Sequence, residues 1–269
     1  MDKLKRVERL TLITKELVEQ PNRLISLSYF CGRFGAAKST ISEDLAIIKE
    51  SLQKGDQGTL HTIAGAAGGI KYAPKLADTE TKELLDHWCA RLSDPKRIIP
   101  GGFLYLADVV FDPRVTSKAG GIFANYFSQL ELDCVITIET KGIPLAAMTA
   151  SVLNLPLIII RDNSKVTEGS SVGINYISGS TKQIRTMSLS RRALKPGAKV
   201  LFIDDFMKAG GTAKGIHDMM AEFGGHVMGT GVFISTLEPK QKLVANYLSI
   251  LQLAVLDEDQ ELVQLKPAL

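Results

Sequence analysis

Val200-Leu201-Phe202-Ile203-Asp204-Asp205-Phe206-Met207-Lys208-Ala209-Gly210-Gly211-Thr212 reads as a buried strand ending in two carboxylates, followed by a glycine-bearing loop that opens a helix. The apolar run Val200 to Ile203 is too hydrophobic for a surface strand, and the glycines let backbone amides approach an anion at a helix N-terminus. A phosphate fits such a loop. Asp204 and Asp205 then stand where the sugar carrying that phosphate would lie. Ionised carboxylates accept hydrogen bonds without donating any, which suits the two hydroxyls of a ribose. A bare Asp-Asp or Gly-Gly would signify no more than a solvated corner; the whole string points to a sugar-phosphate cradle.

Outward from this stretch, strand and helix patterns alternate. After Pro100-Gly101-Gly102 come a strand Phe103 to Leu106, a helix 114–128, a strand Cys134 to Ile138, a helix 144–153 and a strand Leu157 to Ile160. Beyond the quoted run lie a helix 212–223, a strand 227–234 and a final strand near 250–256. This βαβ rhythm calls for a parallel sheet with helices on both faces and a ligand crevice at the strand C-termini. The polar stretch 161–180 interrupts it and reads as a mobile segment, with 172–177 and 183–188 patterned as a β-hairpin arm. Strand 134–138 leads into Glu139-Thr140-Lys141-Gly142-Ile143-Pro144 and a helix. That is a second strand-loop-helix anion site, in which Lys141 adds a compact cation suited to a polyphosphate.

The first quarter of the chain is built differently. Leu4, Val7, Leu10, Ile13 or Thr14, and Leu17 recur at helical spacing, and Gln20-Pro21-Asn22 ends that helix. Ser26 is placed to cap a short helix 27–34, Gly35 makes a turn, and a third helix follows over 37–53 with Ile41, Leu45, Ile48 and Leu52 on one face. Short helix, glycine turn and a helix beginning Lys-Ser-Thr-Ile-Ser is the pattern of a helix-turn-helix reader. Lys38, Ser39, Thr40 and Ser42 suit phosphates or base edges, with Arg33 and Lys49 on the backbone. Ala37 is a poor N-cap, and Glu43-Asp44 would be unwelcome beside phosphates unless they face the other helices. Two short strands, 58–63 and 69–73, make a wing on which Lys71 is a further phosphate contact. Trp88, in a helix 78–92, reads as packing.

Composition narrows the class. The 269 residues, 45% of them hydrophobic, suffice for two cores. Cys31, Cys89 and Cys134 are odd in number and widely spaced, so neither a disulfide framework nor a structural metal site is expected. No apolar run approaches membrane-spanning length, and the N-terminus carries no signal core; a cytoplasmic protein without a membrane partner is expected. Residues 1–74 hold eleven Lys and Arg against eight Asp and Glu, so the whole formal excess of +3 lies there. We divide the chain into a winged helix-turn-helix DNA-binding domain, 1–74, and an α/β effector domain, 75–269.

The string from Val200 to Thr212 resembles the phosphoribosyl pyrophosphate (PRPP) motif of type I phosphoribosyltransferases. The resemblance implies that Asp204 and Asp205 bind the ribose hydroxyls and that Met207, Lys208, Ala209, Gly210, Gly211 and Thr212 wrap the 5′-phosphate. It also implies that Thr140, Lys141 and Gly142 receive the pyrophosphate, with Mg2+ bridging pyrophosphate and ribose and Lys165 on the arm closing over them. Phe206 offers either a face for base stacking or packing at the sheet edge.

Joined to the head motif from Ser28 to Asp44, the whole chain resembles the purine operon repressor family of Gram-positive bacteria. That resemblance implies a homodimer that binds operator DNA near purine genes as repressor or activator. PRPP is then the effector, with other purine nucleotides competing for its place. Bulky Met207 followed by Lys208 and Ala209, where transferases carry threonines, and the lack of an evident base-binding hood after Leu256, favour a sensor without catalysis. The alternative is an active xanthine- or adenine-type phosphoribosyltransferase with a regulatory head; a scaffold with a degenerate site explains least.

Overall fold

The computed structural model describes residues 4–65, 67–162, 169–177 and 183–269. The chain divides into two compact units, residues 1–80 with 151–154, and residues 81–150 with 155–269.

In the first unit, α1 (Arg6–Glu19), α2 (Leu27–Phe34) and α3 (Lys38–Lys54) precede the antiparallel hairpin of β1 (Gly58–Ile63) and β2 (Gly69–Pro74). The Ser26 hydroxyl accepts from Tyr29 N at 3.2 Å and caps α2. Gly35, at φ 59°, closes α2 in the left-handed region that glycine enters without a Cβ penalty. Ile13 and Leu17 of α1, Phe30 of α2, and Ile41, Leu45 and Ile48 of α3 meet Leu60, Ile70 and Tyr72 of the hairpin in one core. Ile25 exchanges backbone hydrogen bonds with Ile70, which draws the α1–α2 connection against the hairpin. The hairpin is the wing expected from the sequence.

Val7 departs from expectation. It is 73% exposed, and the inward face of α1 carries Arg9, Ile13, Glu16 and Leu17 instead. The reason lies in α3. Asp44 is wholly buried, and Arg9 Nε lies 2.5 Å and Arg6 Nε 3.2 Å from its carboxylate. A buried carboxylate needs a charged partner, so α1 turns its arginines, not Val7, toward α3. Asp44 thus faces the other helices, and Glu43 reaches Arg6 at 3.6 Å on the surface.

The second unit begins within α4 (Asp78–Leu92) and goes on through the two-residue strands β3 (Ile98–Ile99) and β4 (Phe103–Leu104), α5 (Ala107–Val110) and α6 (Pro113–Tyr126). Then follow β5 (Cys134–Ile138), α7 (Ile143–Leu153, of which 151–153 are counted with the first unit), β6 (Leu157–Ile160), β7 (Ser171–Ile177), β8 (Ile184–Ser190), β9 (Lys199–Met207), α8 (Gly211–Glu222), β10 (His226–Thr236), β11 (Tyr247–Asp257) and β12 (Leu262–Pro267). The main sheet has the order β12-β11-β10-β9-β5-β6, parallel except for β12. Trp88 packs edge-on against Phe233 of β10, ring centroids 5.5 Å apart, as a core residue.

Three sequence expectations need correction. Phe103 to Leu106 is not a strand of the main sheet; Phe103 and Leu104 pair only with Ile99 and Ile98, because Gly101 and Gly102 turn the chain straight back. The strand near 250–256 is not the last, since β12 returns antiparallel along β11 and buries Val263 and Leu265. The strand read as ending in the two carboxylates starts at Lys199 and runs on past them to Met207, whose side chain joins the core. The hairpin β7–β8 forms as expected. It packs on α8 closely enough that a Cβ on Gly215 would lie 2.7 Å from Met187 and 2.9 Å from Tyr176.

Candidate functional site

From β5 the chain crosses through α7 to β6 on one side, and from β9 it crosses through α8 to β10 on the other. The switch point therefore lies between β5 and β9, and the crevice that such a switch leaves at the strand C-termini is where open α/β sheets hold ligands. Both anion loops read from the sequence emerge there. Cys134, Val135 and Ile136 pair with Val200, Leu201 and Phe202, so the residues following Ile138 rise beside Asp204 and Asp205.

The contact between the loops is close. A Cβ on Gly142 would stand 2.6 Å from Thr137 Oγ1 and 2.9 Å from Asp204 Oδ1. Only glycine fits. The Glu139–Thr140 peptide is cis. Glu139 anchors this loop to the end of β6, accepting from Arg161 Nη1 and Asp162 N, each at 3.0 Å. Lys141 and Thr140 are exposed, and the Lys141 charge acts on Asp205.

Asp204 is buried and Asp205 half-buried. Loss of water holds the Asp204 carboxyl well above the usual carboxylate range, and the charge of Asp205 beside it adds to the effect. Burial also raises Asp205, against the opposing pull of its hydrogen bond with Asp204 and of Lys141. Asp204 Oδ1 accepts from Asp205 N at 2.9 Å, which fixes its orientation. Two partly desolvated acceptors beside a cation suit a polyhydroxylated, polyanionic ligand, whose hydroxyls donate to the carboxylates and whose charge pairs with Lys141.

After Met207 only Lys208, Ala209 and Gly210 separate β9 from α8. Gly210 adopts φ 84°, and no side chain caps the helix that starts at Gly211. The first amides of α8, from Gly211 and Thr212 onward, have no intrahelical acceptor and meet the positive end of the helix dipole. Lys208 is exposed and Ala209 half-buried, whereas Gly210, Gly211 and Met207 are buried. Phe206 is half-buried on β9, opposite Ile234 of β10. Lys165 lies outside the described residues. Sequence reading missed Thr137, against which Gly142 rests, and Thr236, at the end of β10, and Lys242, beyond it, which reach the loop between β9 and α8. Their distance along the chain leaves no local spacing signal.

In the first unit, Lys38, Ser39 and Ser42 are exposed at the start of α3, Thr40 is half-buried, and Lys49 is exposed two turns on. Lys71 pairs across the wing with His61, on the face opposite Leu60 and Tyr72. Arg33 is engaged: its Nε lies 3.0 Å from Glu16, and its guanidinium lies over the Phe34 ring. No group of three or more metal-ligating side chains converges among the described residues, and no helix among them is long and apolar enough to cross a membrane.

Comparison with known proteins agrees with both halves. Residues 5–74 match the family model described as bacterial purine repressor, N-terminal, and residues 109–265 match the phosphoribosyl transferase domain. The fold of the second unit is that of a crystallised adenine phosphoribosyltransferase from Thermoanaerobacter pseudethanolicus, with a TM-score of 0.54 at 18% identity over 62% of this chain and 98% of that one. The purine biosynthesis transcriptional activator PurR of Lactococcus lactis is 37% identical over 94% of each chain. The purine biosynthesis transcriptional repressor PurR of Bacillus subtilis is 46% identical over 98% of this chain and 93% of its own length. With a winged head and a phosphoribosyltransferase-like sheet in one chain, and relatives matched nearly end to end, the protein belongs to the bacterial purine repressor family of transcriptional regulators of purine biosynthesis.

Proposed function

We propose that this regulator reads operator DNA with residues 1–74 and senses PRPP with residues 75–269, binding the effector without turning it over. One observation carries the reading: Gly142 of the Lys141 loop abuts Asp204 at the β5–β9 switch point, so both halves of a PRPP cradle share one crevice. Asp204 and Asp205 accept from the ribose hydroxyls, and the amides from Lys208 to Thr212 surround the 5′-phosphate. Thr140, Lys141 and Gly142 receive the pyrophosphate, and Asp204 and Asp205 would face an Mg2+ held by it, which would supply positive charge between the pyrophosphate and the two carboxylates. Purine nucleotides with a pyrophosphate compete for the same loops.

On the head, Lys38, Ser39, Thr40 and Ser42 enter the major groove, while Arg33, Lys49 and Lys71 contact phosphates. A homodimer presents two such heads to half-sites about 34–36 Å apart. The protein acts in the cytoplasm, where its operators and PRPP are. Regulation is linkage: PRPP binds the free and DNA-bound forms with different affinity, and DNA shifts PRPP affinity by the same factor.

The test is titration of PRPP with Mg2+ into the protein on labelled DNA from upstream of purine genes, at fixed salt because phosphate contacts make affinity salt-dependent. A specific complex whose affinity changes with PRPP is expected. Asp204→Ala with Asp205→Ala should keep operator binding and lose the response. A complex indifferent to PRPP, or release of pyrophosphate on adding xanthine or adenine, overturns the sensor reading.

A further inference from the structure

The carbonyls of the phosphate loop are turned toward a segment far along the chain. Lys242 Nζ donates to Lys208 O at 2.5 Å, to Thr236 O at 2.8 Å and to Thr236 Oγ1 at 3.0 Å. An ammonium has three N–H donors, and these acceptors use all of them. The Thr236 hydroxyl lies 3.1 Å from Lys208 O and 2.6 Å from Glu238 O, and its single proton serves one at a time. One residue on, Leu243 N donates to Ala209 O at 2.9 Å.

The direction of these bonds has a geometric consequence. In a trans peptide the C=O and N–H of one plane point oppositely, so the amides of Ala209 and Gly210 face away from this segment. A carbonyl that accepts from an ammonium also polarises its own peptide and strengthens the N–H on the far side as a donor. Lys242 is half-buried, and loss of water holds its ammonium below the usual lysine range, with Glu238 opposing that shift. Its three bonds are what compensate a partly desolvated charge.

We propose that Lys242 is a positioning residue of the effector site: it clamps the Lys208 carbonyl, with Thr236 as its second anchor, so that the Ala209 and Gly210 amides face the 5′-phosphate of PRPP. The inference rests on the PRPP reading above and adds to it a residue that touches no part of the effector. It also gives Thr236, at the end of β10, a structural task inside the site.

The experiment is calorimetric titration of PRPP with Mg2+ into the full chain and into Lys242→Met, Lys242→Arg, Thr236→Val and the Met/Val double variant, with melting curves recorded for each. Lys242→Met keeps the length and removes the donors; it should weaken PRPP at least tenfold, and Lys242→Arg, which restores donors and charge, should recover most of the loss. Thr236→Val should weaken PRPP about threefold, and the double variant less than the product of the two, because both act on one carbonyl. If Lys242→Met lowers the folded fraction, Thr236→Val alone carries the test. PRPP binding within twofold of the unaltered protein in Lys242→Met, or in Thr236→Val where that variant decides, overturns the inference and leaves the PRPP site standing. An arginine variant as weak as the methionine one overturns it too. Failure of the unaltered chain to bind PRPP overturns the site reading and this inference together.

Discussion

Replacing Gly142 by alanine tests the central geometric claim, that the Lys141 loop and the Asp204-Asp205 pair, proposed to take pyrophosphate and ribose, form one packed site. The added Cβ would stand 2.6 Å from Thr137 Oγ1, 2.9 Å from Asp204 Oδ1 and 3.2 Å from Asp204 Cα. Ordinary contact begins near 3.4 Å, so the loop and the acid must separate by roughly half an ångström to nearly one, in an interior packed as densely as a crystal. Neither neighbour yields easily. Thr137 is wholly buried within β5, and Asp204 is buried on β9 with its Oδ1 held by Asp205 N. Overpacking of this kind costs about 1–3 kcal/mol. If that strain falls on the effector-bound geometry, PRPP affinity drops by about 5- to 150-fold. Calorimetric titration of PRPP with Mg2+ measures it, and operator binding without effector reports whether the head is intact. A variant that melts like the unaltered protein and binds PRPP within twofold of it refutes the claim that the two loops are sterically coupled.

Other substitutions have equally definite outcomes. Asp44→Ala leaves Arg9 buried without its counter-ion and should cost the head about 3–5 kcal/mol, whereas exposed Glu43→Ala should cost less than about 1 kcal/mol. Amide exchange in α1 and α3 reads both, and equal protection in the two variants would contradict the packing described. Gly32→Ala meets nothing within 4 Å inside α2 and should stabilise the head by about 0.4–1 kcal/mol, seen as slower exchange; faster exchange counts against it. For Asp204 the folded carboxyl is raised above its unfolded value. As pH rises past the ordinary carboxylate range the unfolded chain gives up a proton that the folded chain keeps, so stability falls until the raised value is passed and stays lowered above it. Asp204→Asn, which can still accept from Asp205 N, should therefore melt higher than the unaltered protein at neutral pH, lose that advantage in acid, and lose PRPP binding. A lower melting point at pH 7 would show that the buried carboxylate is not a cost to the unliganded fold.

Much of this protein is determined by its sequence taken alone, because the signals are local. Apolar periodicity sets α1 to α3, Ser26 and Gly35 bound α2, and the run Val200 to Ile203 followed by Asp204-Asp205 and Gly210-Gly211 specifies strand, acceptors and anion loop within thirteen residues. What spacing cannot encode was decided by tertiary structure. Val7 looked apolar enough for the core, yet the buried charge of Asp44, thirty-five residues beyond Arg9, draws arginines to that face instead. The strand carrying the carboxylates runs on to Met207 because β10 pairs with it as far as Ser235. β12 exists because β11 offers an edge on which Val263 and Leu265 can be buried. Gly142 against Asp204, and Lys242 against Lys208, are contacts between segments joined only by the sheet. Residue type and local order settle which carboxylates, cation and backbone amides the two loops carry; only strand order and register bring them within a few ångströms of one another, since hydrogen bonds and steric fit act over distances, not along the chain.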